Sequence, residues 1–155
     1  MEDNGFIMQA IEDLKPLLIN SGFQNLKLDA ILASLNISKA KFFRYFGSIG
    51  GIMELTVYHE LSAFYRSYSV ALKIRQQRNK EHVLHTITAH RKKFIDNNPI
   101  LHIYYATKKG FTRRFDPLKK AVLQNENDLL HGMLAKCSYS EADIAFFKQN
   151  ITNEV

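Results

Sequence analysis

Apolar residues recur along the chain at intervals of three and four, the spacing that places them on one face of a helix. The strict alternation of apolar and polar residues that marks strands is absent. The first series predicts a helix over about residues 5–20 and consists of Ile7, Ile11, Leu14 and Leu18. Gly22 provides its stop, and Pro16 either bends it or divides it in two. The pattern as a whole predicts an all-α fold.

Two short helices follow. The apolar positions of the second helix are Leu28, Ile31, Leu32 and Leu35. Asn36 then breaks the pattern, and Asn tolerates a left-handed backbone better than most residues. Ser38 is a good N-cap for a third helix, whose inward positions are Phe42, Phe43 and Phe46. Two short helices joined by a tight turn have the spacing of a helix-turn-helix.

The remaining chain also reads as helices. Ser48 can cap a long fourth helix that ends near residue 75, where residues 75–80 form a polar break. A fifth helix ends near Asn97, and Gly110 indicates another stop. Further helix starts are predicted where a capping residue precedes proline or stands three residues before an acidic one, at Asn98-Pro99, Asp116-Pro117 and Ser140 with Asp143.

Composition narrows the class of protein. The chain has 155 residues, is 46% hydrophobic and contains 7 Tyr and 11 Phe, enough to bury a core without disulfides or metal. A single Cys, which cannot form an intramolecular disulfide, predicts a reducing compartment, and we expect the cytoplasm. The start of the sequence is acidic at Glu2 and Asp3, unlike a signal peptide, and no apolar run is long enough to cross a membrane. We therefore expect no membrane partner.

The net charge is +6 with a pI near 9.4, which favours anionic partners such as nucleic acid. The excess is central: residues 66–93 hold eight basic groups and one acidic group, whereas residues 1–51 hold five of each. The central excess is either an auxiliary nucleic-acid surface, a site for an acidic ligand or a set of solvated faces. We favour solvated faces.

Residues 22–52 carry a resemblance. Gly22-Phe23, followed at residues 31–48 by ILASLNISKAKFFRYFGS, resembles the DNA-binding module of the tetracycline-repressor (TetR) family of bacterial transcription regulators. The serine, the aromatic pair and the closing Phe46 stand at the family's spacing. The sequence departs from the family pattern at Asn36 (Gly in the family), at Phe43 (Tyr), at Ile49 (Lys) and at Leu26-Lys27 (a Thr pair).

The resemblance implies a DNA-binding domain at residues 1–48 and a helical regulatory and dimerisation domain, shortened, at residues 49–155. It implies a homodimer that binds a palindromic operator with a recognition helix in each of two successive major grooves. The last two helices, about 117–137 and 140–152, would form the dimer interface, and a further terminal helix is not excluded. An unknown small-molecule effector would regulate the protein.

The predicted third helix has the chemistry of a recognition helix. Lys39, Lys41 and Arg44 would face outward as donors to guanine, and Ala40 would contact a thymine methyl. Lys27 would contact a phosphate at the start of the preceding helix. Together with the family positions, the predicted DNA-binding residues are Lys27, Ser38, Lys39, Ala40, Lys41, Phe43, Arg44 and Tyr45.

An aromatic set spans the predicted fourth to sixth helices, the region that lines the effector cavity in the TetR family. Its candidate ligand-binding residues are Phe64, Tyr65, Tyr68, Tyr104, Tyr105, Lys108 and Phe111. A plain hydrophobic core explains the aromatic residues equally well, and the sequence leaves both readings open.

Other chemistry has weak support. His82 and His85 have a spacing that two metal ligands could use, but no third ligand stands at a defined offset, so we expect no metal or other cofactor. We expect Cys137 to be a buried structural thiol. With no nucleophile motif, phosphate loop or paired carboxylates, we expect no enzyme. The expected function is a ligand-responsive TetR-type repressor. The alternative is a protein of this fold that has lost operator binding and acts through protein contacts.

Overall fold

The computed structural model describes residues 2–74, 79–107 and 116–152, and all regular structure in these ranges is helical. The predicted all-α fold is confirmed. The described helices are α1 (Glu2–Ser21), α2 (Leu28–Leu35), α3 (Lys39–Phe46), α4 (Ile49–Ile74), α5 (Lys80–Asn97), α6 (Pro99–Ala106), α7 (Asp116–Lys136) and α8 (Glu141–Ile151). Within the same ranges no helix is both long and apolar enough to cross a membrane.

α1 is one continuous helix that includes Pro16. The sequence alone allows either a bend or a division at this residue. Leu14 and Leu18, on either side of the proline, are both fully buried on one face, so burial of this face favours a helix that continues through it. The helix ends as predicted at Gly22, whose φ of 75° is a left-handed value that glycine adopts without strain.

The later helix boundaries follow capping residues that the sequence indicates. Asn98 accepts a hydrogen bond from the Leu101 N–H at 3.0 Å, and Pro99 is the first residue of α6. Ser140 accepts from the Asp143 N–H at 3.2 Å at the start of α8. Asn79 caps α5, so the predicted polar break of residues 75–80 ends one residue earlier than expected. Residues 75–78 and the predicted stop at Gly110 lie outside the described residues.

Two apolar clusters form the core. The first joins α1, α2 and α3 to α4, α6 and α7, and its fully buried members include Leu14, Phe42, Ile52 and Leu101. The second lies among α4, α5, α7 and α8 around Ile87, Leu130 and Phe147. α4 contributes to both clusters and packs along α7, so this long helix connects the first three helices to the rest of the protein.

A polar junction, formed by Lys15, Glu60 and Asn98, connects α1 to α4 and α6. The Lys15 ammonium lies 2.5 Å from Oε1 of Glu60 on α4, and the Asn98 side-chain amide donates to Oε2 of the same carboxylate at 3.0 Å. Asn98 is also the N-cap of α6, so the junction joins three helices. Burial raises the pKa of the Glu60 carboxyl, but the hydrogen bonds from Lys15 and Asn98 outweigh it and the net pKa is lowered.

The start of α4 requires a glycine. A Cβ built on Gly51 would lie 2.0 Å from the carbonyl oxygen of Phe46, the last residue of α3, whereas a Cβ on Gly50 would meet only the Ser48 hydroxyl at 3.6 Å. We therefore predict that Gly51→Ala lowers the free energy of unfolding by about 1–3 kcal/mol because α3 and α4 must separate. Gly50→Ala, the matched control, should be neutral or stabilise by up to about 1 kcal/mol through helix propensity. Urea unfolding measures both, and equal effects would contradict the close approach.

The junction predicts a pH dependence. Because the pKa of Glu60 is below its ordinary 4.5 in the folded state, its contribution to stability is fully present above pH 4.5 and is lost as the pH falls through the folded-state pKa. Glu60→Gln should cost about 1 kcal/mol at pH 7, and this difference from the parent protein should shrink below pH 4.5. Glu12→Gln removes the exposed partner of the same lysine and should have a smaller effect. A Glu60→Gln difference independent of pH in thermal unfolding would refute this assignment.

Candidate nucleic-acid interface

The connection from α2 to α3 is closed by its own backbone. Asn36 has φ 52° and ψ 51°, the left-handed conformation that the sequence predicted for it. Its N–H donates to the Ala33 carbonyl, and the Ile37 N–H donates to the Leu32 carbonyl, both at 3.3 Å. These bonds satisfy carbonyls at the end of α2, as a left-handed cap does. The start of α3 is thereby positioned relative to α2 within three residues.

α3 then presents one apolar face inward. Ser38 caps it by accepting from the Lys41 N–H at 3.1 Å, and Phe42 and Phe46 are 0% and 7% exposed. The prediction that Phe43 also faces inward is wrong, because this side chain is 43% exposed. One residue is about 100° of helix rotation, so Phe43 lies beside the buried face, in a T-shaped contact with Phe42 at 5.3 Å between ring centres.

The outer face of α3 is cationic. Lys39, Ala40 and Arg44 are exposed, as predicted. The Arg44 guanidinium lies 5.4 Å from the centre of the Tyr45 ring. Lys41 is only half-buried rather than fully outward, because its ammonium lies 4.3 Å from the centre of the Phe6 ring on α1. The helix thus offers two exposed cations, Lys39 and Arg44, and one that packs against α1.

Tyr45 is also bound to α1. Its hydroxyl donates to Oδ1 of Asp3 at 2.7 Å, and its ring centre lies 4.6 Å from that of Phe6. The hydrogen bond to Asp3, more than burial, raises the pKa of Tyr45. The sequence predicts Tyr45 as a DNA contact and gives no signal for Asp3, because a contact across 42 positions leaves no periodic pattern.

Lys27 stands directly before α2 with an exposed side chain. It occupies the N-cap position in an extended conformation and makes no side-chain hydrogen bond to the helix. The first N–H groups of α2 therefore lack the side-chain acceptor that Ser38 provides for α3. Such a helix start, next to a lysine, suits an anion such as a phosphate.

The structure packs the predicted ligand-binding aromatics into the core. Phe64, Tyr65, Tyr68 and Tyr104 are buried and Tyr105 is half-buried, whereas Lys108 and Phe111 lie outside the described residues. Phe64 and Tyr68 stack with ring centres 5.6 Å apart. Tyr104 instead makes a T-shaped contact with Phe23, just after α1, at 5.6 Å between ring centres. The described members therefore divide between the two apolar clusters.

Two of these tyrosines belong to a buried polar network. The Glu126 carboxylate on α7, 1% exposed, accepts from Arg91 Nε at 2.5 Å and from Arg91 Nη2 at 2.9 Å. It also accepts from the hydroxyls of Tyr65 at 2.7 Å and Tyr105 at 3.1 Å. Burial lowers the pKa of the Arg91 guanidinium, but its bonds to Glu126 outweigh burial and hold that pKa above its ordinary value. Burial and the charge of Glu126 raise the pKa values of both tyrosines.

Arg91 and Glu126 were not singled out from the sequence, although a signal exists. Each stands where an apolar residue is expected in a series with intervals of four, namely Val83, Ile87, Arg91 and Ile95, and Val122, Glu126, Leu130 and Leu134. A charged residue at an apolar position of each of two helices, with opposite signs, indicates a buried pair. The signal does not say which helices bring the partners together.

The remaining candidates are structurally ordinary. Cys137 is 1% exposed, as the sequence predicted for a buried thiol, and its Sγ donates to the Ser69 carbonyl oxygen at 3.7 Å. His82, His85 and His90 lie exposed on α5. Among the residues that the structure describes, no three His, Cys, Asp or Glu side chains come together as a metal site would require.

Comparisons with protein-family models, with curated proteins and with solved structures found no match for this chain.

The network predicts strong coupling between its charges. Arg91→Leu should lower the free energy of unfolding by about 3–5 kcal/mol, because the Glu126 carboxylate stays buried without its counter-charge. The double variant Arg91→Leu with Glu126→Leu should be more stable than Arg91→Leu alone, because no uncompensated charge remains. Thermal unfolding of the variants, with the exposed Arg66→Leu as control, gives the coupling. A double variant no more stable than the single one would show that the pair acts through packing alone.

Proposed function

We propose that the protein is a TetR-type DNA-binding transcriptional regulator, a ligand-responsive repressor that binds a palindromic operator as a homodimer. The observation that carries the proposal is the geometry of α3. A left-handed turn at Asn36 and the Ser38 cap position a helix that buries Phe42 and Phe46 while exposing Lys39, Ala40 and Arg44. α3 would be the recognition helix in the major groove, with Arg44 and Lys39 as guanine donors.

Phosphate contacts would hold this helix in register. The uncapped start of α2 with Lys27 suits one backbone phosphate, and Lys41 and Tyr45 at the edge of α3 suit another. Phosphate contacts position a protein on the duplex, whereas base contacts select the sequence. Lys27, at the start of α2, would therefore contact a phosphate, and Arg44, on the exposed face of α3, would contact a base.

The proposed regulation by a ligand depends on α4 and on the buried network around Glu126 that α4 joins through Tyr65. α4 begins against the end of α3 and carries Tyr65 to the Glu126 carboxylate, so it connects the proposed DNA-binding helices to the aromatic region. An effector that favours another arrangement of α4 would change the spacing of the two recognition helices in a dimer. α7 and α8 are the proposed dimer interface, and the cytoplasm is the proposed location.

One observation favours the second candidate function, a helical interaction protein that has lost operator binding. Phe43 is 43% exposed on the face that DNA would meet, where the resembled family has a tyrosine hydroxyl for a phosphate. Ile49 likewise replaces a family lysine. An exposed aromatic ring suits a protein partner as well as a nucleic acid. Direct measurement of DNA binding separates the two.

Selection from a random duplex library provides the test. We predict enrichment of an inverted repeat whose half-sites are about one helical turn apart or a multiple of it. Arg44→Ala should weaken binding to the selected duplex by about 1–3 kcal/mol and reduce the preference over a scrambled duplex, because a base contact is lost. Fluorescence anisotropy at two salt concentrations measures both effects.

Arg66→Ala is the matched control, since it removes an exposed arginine from α4 rather than α3. It should leave the preference between duplexes unchanged. Failure to enrich any sequence, or binding that vanishes equally for both duplexes at the higher salt, would refute a sequence-reading regulator and favour the interaction protein.

A further inference from the structure

The contact between α1 and α3 brings an acidic residue to the edge of the proposed recognition helix. Asp3 lies in the first turn of α1, and its carboxylate accepts the Tyr45 hydroxyl at 2.7 Å. Phe6, one turn further along α1, packs on the Tyr45 ring and beneath the Lys41 ammonium. Two groups that suit a phosphate, one hydroxyl and one ammonium, are therefore gathered around a single ring.

A carboxylate and a phosphate present the same chemistry to these groups. Both offer anionic oxygens that accept a hydroxyl hydrogen bond and attract an ammonium. Asp3 also places its negative charge at the positive end of the α1 dipole, where a phosphate would otherwise be favoured. The Asp3 carboxylate therefore accepts, within the protein, the hydrogen bond that a DNA phosphate would accept in a complex.

The hydrogen bond between Tyr45 and Asp3 is also in a position where another acceptor could replace Asp3. Asp3 is exposed and Tyr45 half-buried, so the carboxylate has a low desolvation cost when it leaves the hydroxyl for water. The Arg91 and Glu126 pair is the opposite case, because its charges are buried and must stay together. No rearrangement of the core is needed to free Tyr45.

We propose that Asp3 is an internal competitor of DNA: its carboxylate occupies the place of a backbone phosphate on Tyr45, and operator binding exchanges one for the other. This inference rests on the proposed function. It assigns Asp3 an autoinhibitory role that limits affinity for any duplex, because a phosphate contact carries no sequence information.

Asp3→Asn tests the exchange, since the amide oxygen still accepts a hydrogen bond but the negative charge is gone. Affinity for the selected duplex should rise about threefold to tenfold at low salt, and for a scrambled duplex by a similar factor. Asp128→Asn removes the same charge from an exposed position on α7 and should change affinity less than twofold. Unfolding midpoints of both variants check that the fold is kept.

The same Asp3→Asn change in a Tyr45→Phe protein distinguishes exchange at the Tyr45 hydroxyl from simple repulsion between Asp3 and DNA. In Tyr45→Phe the hydroxyl is absent, so Asp3→Asn should raise affinity there by less than half the factor seen with Tyr45 present. An equal gain in both backgrounds, or no gain with Tyr45 present, would overturn the proposal. If Arg44→Ala lowers affinity while Asp3→Asn does nothing, the inference fails and the proposed function stands. If neither the parent protein nor Asp3→Asn binds any duplex, both fail.

Discussion

A carboxylate cannot be buried without its hydrogen bonds, and this constraint at Glu126 organises the helical body. Its four hydrogen bonds come from Tyr65 on α4, Arg91 on α5 and Tyr105 on α6, while Glu126 itself belongs to α7. Desolvation of such a pair is costly, so the pair adds little net stability compared with a well-packed apolar core. The pair instead favours one arrangement of the helices over others, since any shift that removes one hydrogen-bond donor leaves a buried charge unsatisfied. Four helices are thereby held in one register.

The first three helices contact this body through the first apolar cluster and through the polar junction at Glu60. Lys15 reaches Glu60, and Phe23 meets Tyr104, so α1 and the α1–α2 connection touch α4 and α6. α4 and α6 also supply the two tyrosines of the network. A displacement that breaks a hydrogen bond of Tyr65 or Tyr105 therefore acts on the same helices that hold α1. This shared use of α4 and α6 is the physical basis on which the proposed regulation depends.

Local features were predictable from the sequence, and distant pairings were not. Helical periodicity, the turn at Asn36 and the caps at Ser38, Asn98 and Ser140 each arise within a few residues, and the structure confirms them. The inward placement of Phe43 failed because three phenylalanines in five positions do not reveal which two define the buried face. Glu126 and Arg91 interrupt apolar series, yet only the tertiary arrangement of α5 and α7 brings these two side chains together. Asp3 had no signal, because its partner is set by how α1 lies on α3.

The net charge of the whole chain does not describe the charge around α3. The whole excess of +6 lies outside residues 1–51, which contain as many acidic as basic groups, and Lys92 and Lys93 are exposed on α5. Under the proposed function this balance has a consequence. Non-specific affinity for DNA grows with the number of phosphates neutralised, and here Lys15 is paired with Glu60 while Tyr45 is held by Asp3. If this module binds DNA, its exposed cations would be Lys27, Lys39 and Arg44, and we would expect its non-specific affinity to be low. Since specificity is the ratio of operator to non-specific affinity, such a module would depend more heavily on the proposed base contacts of α3 for selection.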